Sequence, residues 1–497
     1  MHFPAFGLDD LWNWLPQSTG SAILFVDFCV KIVIAVRVIL QRRPTGETLA
    51  WIMVVFSMPV LGPLLYLMFG ELRLGRRRAG RFTELTKPLM AWLRDIRERS
   101  LVDWNALEAD YRPLAEMCER TIGVPALAGN RVDLLDDWQQ VFARLIADIE
   151  AAQSTIHLEF YIWSDGGEAD RVVDALVHAQ RRGVTCRVLV DALGSHRFLK
   201  GKMCQRLREG GVHVVAALPG GLFRLPFVRF DLRLHRKIAI IDGRIGYTGS
   251  LNLVDPRYFK KDAGVGEWVD AMVRLEGPAV EAMQIIFLAD WYVDSHAELD
   301  RLLETADARP QPSRGDIETQ VMPSGPDLPA NAIEQVLLTA IYSARHELLI
   351  TTPYFVPSEP LMLALVAAAR RGVKVVLVLP RRVDSKLVKF ASSAFKGELL
   401  EAGVRIALFE DGLLHTKSVT VDRTHSLFGS VNLDPRSFRL NFEILLAMYD
   451  SKFTAQLADL QQRYIDRSEL MDLEAYRNRP LRYVVLESVA RLLGPLL

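Results

Sequence analysis

Two stretches 180 residues apart share one spelling. LHRKIAIID (residues 234–242) and LHTKSVTVD (residues 414–422) set His, Lys and Asp at the same offsets. Each leads into a second short run, ending GSLN (249–252) in one case and GSVN (429–432) in the other. The spacing from His to Ser is 15 and from His to Asn 17 in both copies. Such agreement in register points to a whole folding unit present twice.

The flanking sequence repeats as well. TIHLEFYIW (155–163) and LLITTPYFV (348–356) read as buried strands. Each is followed by a polar break and an amphipathic helix, over 169–181 and 359–370. RRGVTCRVLVDA (181–192) and RRGVKVVLVLP (370–380) then place Gly183 and Gly372 as helix C-caps before β-branched strands. A second helix ends at GGVHVV (210–215) or AGVRIAL (402–408). The order strand, helix, strand, helix, strand implies right-handed crossovers and a largely parallel sheet. The expected fold class is α/β: two tandem α/β domains, mostly parallel sheets packed together as a pseudo-dimer, behind an N-terminal transmembrane helical region. The expected boundaries are 1–70 for the membrane region, 71–130 for a basic helical connector, 131–310 and 311–475 for the two domains, and 476–497 for a C-terminal amphipathic helix. A chain of 497 residues has room for this many units.

The membrane expectation rests on residues 49–69, LAWIMVVFSMPVLGPLLYLMF, which carry no charge. That is about the 20 residues needed to span a bilayer as a helix. Pro59, Gly62 and Pro63 are costly in a soluble helix and better tolerated in lipid. Residues 22–40 are a second candidate, to span with Asp27 and Lys31 paired one turn apart or to lie along the interface. The opening MHFPAFGLDD lacks a basic n-region, so a cleaved signal peptide is not expected. Arg73, Arg76, Arg77, Arg78 and Arg81 follow the candidate span. Positive flanks of this kind mark the cytoplasmic side and are attracted to anionic headgroups. Two further segments are candidates for the interface: residues 221–233, which alternate apolar residues with Arg224, Arg229 and Arg233, and residues 480–497.

Lys plus Arg number 60 and Asp plus Glu number 60, a balance that argues against a nucleic-acid partner. Cys29, Cys118, Cys186 and Cys204 form neither a C-x-x-C pair nor a disulfide framework.

The repeated motif suits a phosphate ester. His235 and Lys237 are two apart on a strand and share a face, as do His415 and Lys417. Lysine supplies charge for nonbridging oxygens, and histidine attacks phosphorus or moves a proton near neutral pH. Ser250, Asn252, Ser430 and Asn432, at the ends of the following strands, are candidate hydrogen-bond donors to the same oxygens. Two histidines allow one nucleophile and one general acid. Asp242 and Asp422 complete the motif, as further catalytic candidates or as turn-shaping residues. An imidazole nucleophile needs a carboxylate on its other nitrogen, and each half offers one downstream, Asp270 or Glu443. No carboxylate cluster for Mg²⁺ or Ca²⁺ is evident, so neither a catalytic metal nor another cofactor is expected.

These residues resemble the phospholipase D superfamily, whose signature is this duplicated H-x-K-x4-D with a downstream G-S/G-x-N. TPYFVPSEPL (352–361), FYIWSDG (160–166), VDALGS (190–195), GSLNLVDPRY (249–258), SVNLDPRSFRLNFE (430–443) and the N-terminal pattern of Trp51, Pro59, Gly62, Tyr66 and Gly70 look like bacterial cardiolipin synthases. The resemblance extends over essentially the whole chain. It implies transfer of a phosphatidyl group from one phosphatidylglycerol to another through a phosphatidyl-histidine, with release of glycerol. It implies His235 as nucleophile, His415 as acid and base, and Asp270 and Glu443 as orienting carboxylates. It also implies an integral protein of the bacterial inner membrane, with phosphatidylglycerol and the bilayer as partners. A hydrolase giving the phosphatidyl group to water would use the same residues, as would a transferase using phosphatidylethanolamine as donor or another alcohol as acceptor.

Overall fold

The computed structural model describes residues 19–41, 43, 45–107, 111–219, 229, 231–305, 309–329 and 331–492. The chain forms two compact units. The smaller comprises Met1–Gly75 with Gly220–Asp231, the larger Arg76–Pro219 with Leu232–Leu497. Most of the interfacial candidate 221–233 and the last five residues of the candidate 480–497 lie outside the described residues.

In the smaller unit, residues 49–69 do not form the single expected span. They divide into the helices Thr45–Ser57 and Leu61–Phe69. The break has a local cause. Pro59 has no N–H to continue the ladder, and Val60 takes a left-handed φ of 61°. The Val60 N–H is instead satisfied by the Asp27 carboxylate at 2.9 Å, from the preceding helix Thr19–Leu40. Asp27 also holds Lys31 at 2.8 Å, the pairing expected one turn apart. Among the described residues, no helix is long and apolar enough to cross a membrane. The family-like positions of this segment have packing roles. A Cβ on Gly62 would meet the Val54 carbonyl at 2.4 Å, so only glycine lets the two short helices approach. Tyr66 stacks edge-on against Trp51 and donates its hydroxyl to Glu71 at 2.8 Å.

The larger unit is built on one continuous mixed sheet, not two mostly parallel sheets packed together. From one edge it runs His213–Ala217, Thr185–Asp191, Thr155–Phe160, Lys237–Ile241, Ile245–Gly249, Met272–Glu276 and Ala126–Leu135. It continues through Ile317–Ser324, Asn441–Met448, His425–Gly429, Ser418–Val421, Glu347–Thr351, Lys374–Pro380, Arg405–Phe409 and Ser468–Leu470. Among the described residues, three strands within each half pair in parallel, those joined by crossover helices. Each motif strand instead turns straight back on itself. Residues 242–244 and 422–424 are too few for a crossover, so the pair is an antiparallel hairpin. The halves join through Ala126–Leu135, a single strand that pairs with Ile317–Ser324 by its first part and with Met272–Glu276 by its second. Asn130 fills the bend, donating to the carbonyls of Leu127 and Ile317.

The helix Pro278–Asp294 is buried on nearly every side, as its apolar circumference requires. Three of the basic residues after the first unit have partners within the protein. Arg78 is buried against Asp294 at 2.6 Å, Arg81 donates to the carbonyls of Tyr292 and Ala297, and Arg77 meets His296. Cys118, Cys186 and Cys204 are buried free thiols, and Cys29 is exposed.

Candidate active site

The two motifs reach one site by reciprocal exchange between the halves. Arg233–Leu234, just before the first motif, pairs in parallel with Asn441–Phe442 of the other half. Leu413–Leu414, just before the second, pairs with Trp268–Val269. The His235 N–H donates to the Phe442 carbonyl and the His415 N–H to the Val269 carbonyl, each at 2.8 Å. Each acid stands one residue beyond these pairings, so each histidine meets the acid of the opposite half. His235 Nδ1 lies 2.7 Å from Glu443 Oε2 and His415 Nδ1 lies 2.7 Å from Asp270 Oδ1. The sequence supplied one acid per half but not this crossing.

With Nδ1–H held by a carboxylate, each ring leaves Nε2 for chemistry. Aromatic rings fix the imidazoles further. Tyr161 approaches His235 edge-on at 4.8 Å between centroids, and Trp268 lies 4.4 Å from His415. Neither contact was anticipated as part of the site. The only sequence signal was that Tyr161 belongs to the family-like FYIWSDG.

Lys237 and Lys417 are both almost fully buried. Each ammonium donates once to the carbonyl of its own histidine, at 2.7 Å and 2.5 Å. An ammonium has three N–H bonds, so each keeps two for a ligand. Burial, opposed by the fields of Glu443 and Asp270, leaves the Lys237 pKa pushed down to about 8. Burial and the neighbouring Lys237 charge also pull Lys417 well down. Both imidazoles are lowered to about 4, chiefly by burial, with the fields of both lysines adding to it. At neutral pH the site therefore holds two neutral imidazoles and the Lys237 ammonium beside two carboxylates. Glu443 and Asp270 stay below the usual carboxylate range because imidazole and ammonium partners outweigh their burial.

Two sequence expectations change at this point. Ser250 and Ser430 were read as ligands for the phosphate. Their hydroxyls instead donate to Asp270 Oδ1 and Glu443 Oε2, each at 2.6 Å, and accept from the N–H groups of Ala271 and Ile444. A hydroxyl has one proton, and it is spent on the carboxylate. These serines therefore fix the acids that fix the histidines. For Asp242 and Asp422, catalytic candidates or turn-shaping residues by sequence, the geometry favours the turn. They lie beyond the far end of the motif strands, five residues and about 16 Å from Lys237 and Lys417 by the strand rise. Asp242 accepts the N–H groups of Gln153, Ser154 and Thr155, and Asp422 those of Arg345, His346 and Glu347. Both sit at positive φ, 53° and 51°, the backbone of a tight hairpin turn. They tie the motif hairpin to the start of the neighbouring strand.

Asn252 and Asn432, at the ends of the following strands, are both buried. Asn252 accepts from the Ile162 N–H at 3.2 Å and leaves its Nδ2 unpartnered. Asn441, unforeseen in the sequence, donates to Glu443 Oε1 at 3.1 Å. Arg236, between His235 and Lys237, points away from the site. It binds the carbonyls of Glu443 and Ser324 and the Asp290 carboxylate.

The chain matches known proteins over most of its length. The family model described as "Cardiolipin synthase, PLD-like domain" matches residues 145–291 and again 337–465. A second, "Phospholipase_D-nuclease N-terminal", matches residues 30–71. Cardiolipin synthase A of Serratia proteamaculans (strain 568) is 44% identical over 464 residues, covering 93% of this chain and 96% of that protein. Cardiolipin synthase A of Yersinia pseudotuberculosis serotype O:1b (strain IP 31758) is 43% identical over the same shares. Among solved structures, a phosphatidylserine synthase of Haemophilus influenzae Rd KW20 has the same fold, with a TM-score of 0.59 at 16% identity, covering 78% of this chain and 100% of that one. The duplicated family match, the near-complete coverage and the paired H-x-K motifs agree, and the chain belongs to the cardiolipin synthase family of phospholipase D-like proteins.

Proposed function

We propose that this protein is a cardiolipin synthase that joins two phosphatidylglycerol molecules, releasing glycerol, through a phosphatidyl group carried on His235. The observation that carries the reading is the crossed pair of dyads, His235–Glu443 and His415–Asp270, beside two lysines with unspent donors.

In the first step His235 Nε2 attacks phosphorus and the P–O bond to the headgroup glycerol breaks. His415, protonated once the anionic diester sits beside it, gives its Nε2 proton to the departing oxygen. In the second step neutral His415 takes the proton from the glycerol hydroxyl of a second phosphatidylglycerol. That oxygen attacks phosphorus, the P–N bond breaks, and His415 is protonated again. Lys237, Lys417 and Asn252 hold the nonbridging oxygens as charge builds on them. Asp270 and Glu443 orient the rings and stabilise each imidazolium.

Membrane attachment belongs to the same reading. Ile23, Leu24, Val33, Ile39 and Leu40 of the first helix and Leu49, Met53 and Leu61 of the next two are all at least half exposed. Apolar surface of that extent marks a lipid or protein contact. Here the substrates are themselves lipids, which favours the bilayer.

The test uses phosphatidylglycerol with a labelled headgroup glycerol in detergent–lipid micelles. Free glycerol and cardiolipin should rise one for one, and both should vanish in His235→Ala. Glycerol rising with phosphatidic acid would make water the acceptor and the enzyme a hydrolase.

A further inference from the structure

A cavity of about 410 Å³ lies in the second half, and neither motif contributes to its lining. Its walls come from the end of the strand Lys374–Pro380, the helix Lys386–Glu401, and the C-terminal segment that contributes Tyr476, Arg479 and Glu487. Leu379, Val388, Leu408 and Met471 give it an apolar side.

The charges in this cavity do not balance. Arg479 is spent on Glu487, which it grips at 3.0 and 2.9 Å. Arg381 is paired with Glu469 and Glu410. The Asp472 carboxylate caps the Ala475 N–H at 2.7 Å. Lys389 and Lys396 are left. Among the described residues neither has a carboxylate within ion-pair distance or a side-chain hydrogen bond, although both line the same space. The Lys389 charge disfavours the Lys396 ammonium. Burial and the Lys389 charge pull the Lys396 pKa down to about 8, against the field of Glu487. An anion between the two ammonium groups would relieve this.

The surroundings bear on which anion. The C-terminal helix Leu481–Leu492 closes one side with Glu487 and Ala490 turned inward. Its outer face shows Leu481, Val485 and Val489 at 76%, 53% and 52% exposure, every fourth residue along one stripe. An apolar wall inside, a bare apolar stripe outside and two unpaired cations match a molecule with a phosphate at one end and hydrocarbon at the other.

We infer that this cavity binds the phosphate of an anionic phospholipid between Lys389 and Lys396, as a second lipid site separate from the paired histidines. The phosphate is shared chemistry with a soluble ion, and the apolar lining favours the lipid. A structural link to the active site exists. Tyr354 and Asp384, next to the lining residues Pro353 and Val383, are hydrogen-bonded at 2.7 Å. Asp384 also holds Lys260 at 3.0 Å, and the Lys260 ammonium lies 5.5 Å from the ring of Trp268, which packs on His415.

The test is competitive labelling of the full chain in detergent micelles. A pulse of acetic anhydride at pH 8 is read by peptide mass spectrometry at Lys389 and Lys396. The probes are dihexanoylphosphatidic acid, dihexanoylphosphatidylcholine and inorganic phosphate at equal concentration. At about ten times its Kd, phosphatidic acid should slow labelling of both lysines about ten-fold, since labelling follows the free fraction. The other two probes should have little effect. Lys396→Gln should abolish the protection of Lys389. No protection by phosphatidic acid, or Lys389 still protected in Lys396→Gln, would overturn the site. Equal protection by inorganic phosphate would overturn the lipid assignment, and equal protection by phosphatidylcholine would overturn the anion site. Labelling of Lys237 and Lys417 in the same samples reports the catalytic site independently.

Discussion

Glu443 Oε2 and His235 Nδ1 lie 2.7 Å apart although 208 residues separate them and they belong to different halves of the repeat. The mirror contact joins Asp270 to His415 across 145 residues. Neither half holds a complete dyad, so neither is expected to be active alone.

Glu443→Gln should lower kcat by about 10³ with the fold retained, because the amide cannot stabilise the imidazolium or fix its tautomer. In combination with His235→Ala it should cost little more than His235→Ala alone, since the two act as a unit. Steady-state rates of the single and double variants check this. Additive losses would mean that the acid acts elsewhere.

Ser250→Ala and Ser430→Ala separate two roles. A hydroxyl that fixes a carboxylate should affect kcat, by about ten-fold for one hydrogen bond to a charged group, and leave the KM for lipid nearly unchanged. A large rise in KM with kcat intact would return the serines to the phosphate.

Asp242→Ala should act on stability. It removes the acceptor of three backbone N–H groups and should cost about 2–4 kcal/mol, read as a lower Tm. The kcat of the folded fraction should stay near that of the parent. A loss of kcat at unchanged Tm would place the residue in the chemistry.

Lys237 carries a pH prediction. Its ammonium pKa is pushed down to about 8, mainly by burial. The charge is present below that value and lost above it, so phosphate binding should weaken as pH rises through about 8. The midpoint can be read by NMR of ¹⁵N-lysine-labelled protein, with Lys237→Arg to assign the signal. A midpoint near the ordinary lysine value would contradict the burial described.

Much of this was legible in the sequence because it is local. The offsets within LHRKIAIID and LHTKSVTVD marked the two motif segments, and the Gly183 and Gly372 caps marked the crossovers. The acids were visible as charged residues in apolar strands, where they require partners. The crossing was not visible, because it is set by the two-residue pairings Arg233–Leu234 with Asn441–Phe442 and Leu413–Leu414 with Trp268–Val269. Strands that short carry no periodicity. The continuous sheet escaped for a related reason: Ala126–Leu135 pairs with both halves, and nothing in its own residues names two partners. In residues 49–69, the hydropathy of the run outweighed Pro59 in the reading, whereas in the structure Pro59 and the positive φ of Val60 end the helix.

The assignment of His235 as the carrier of the phosphatidyl group can be tested with a substrate whose leaving group needs no proton. Phosphatidyl-p-nitrophenol should give His415→Ala a burst of one nitrophenol per enzyme, and peptide mass spectrometry should then find a stable phosphatidyl adduct on the peptide containing His235. His235→Ala should give neither burst nor adduct. An adduct on the His415 peptide in His235→Ala, or turnover by that variant, would contradict the account.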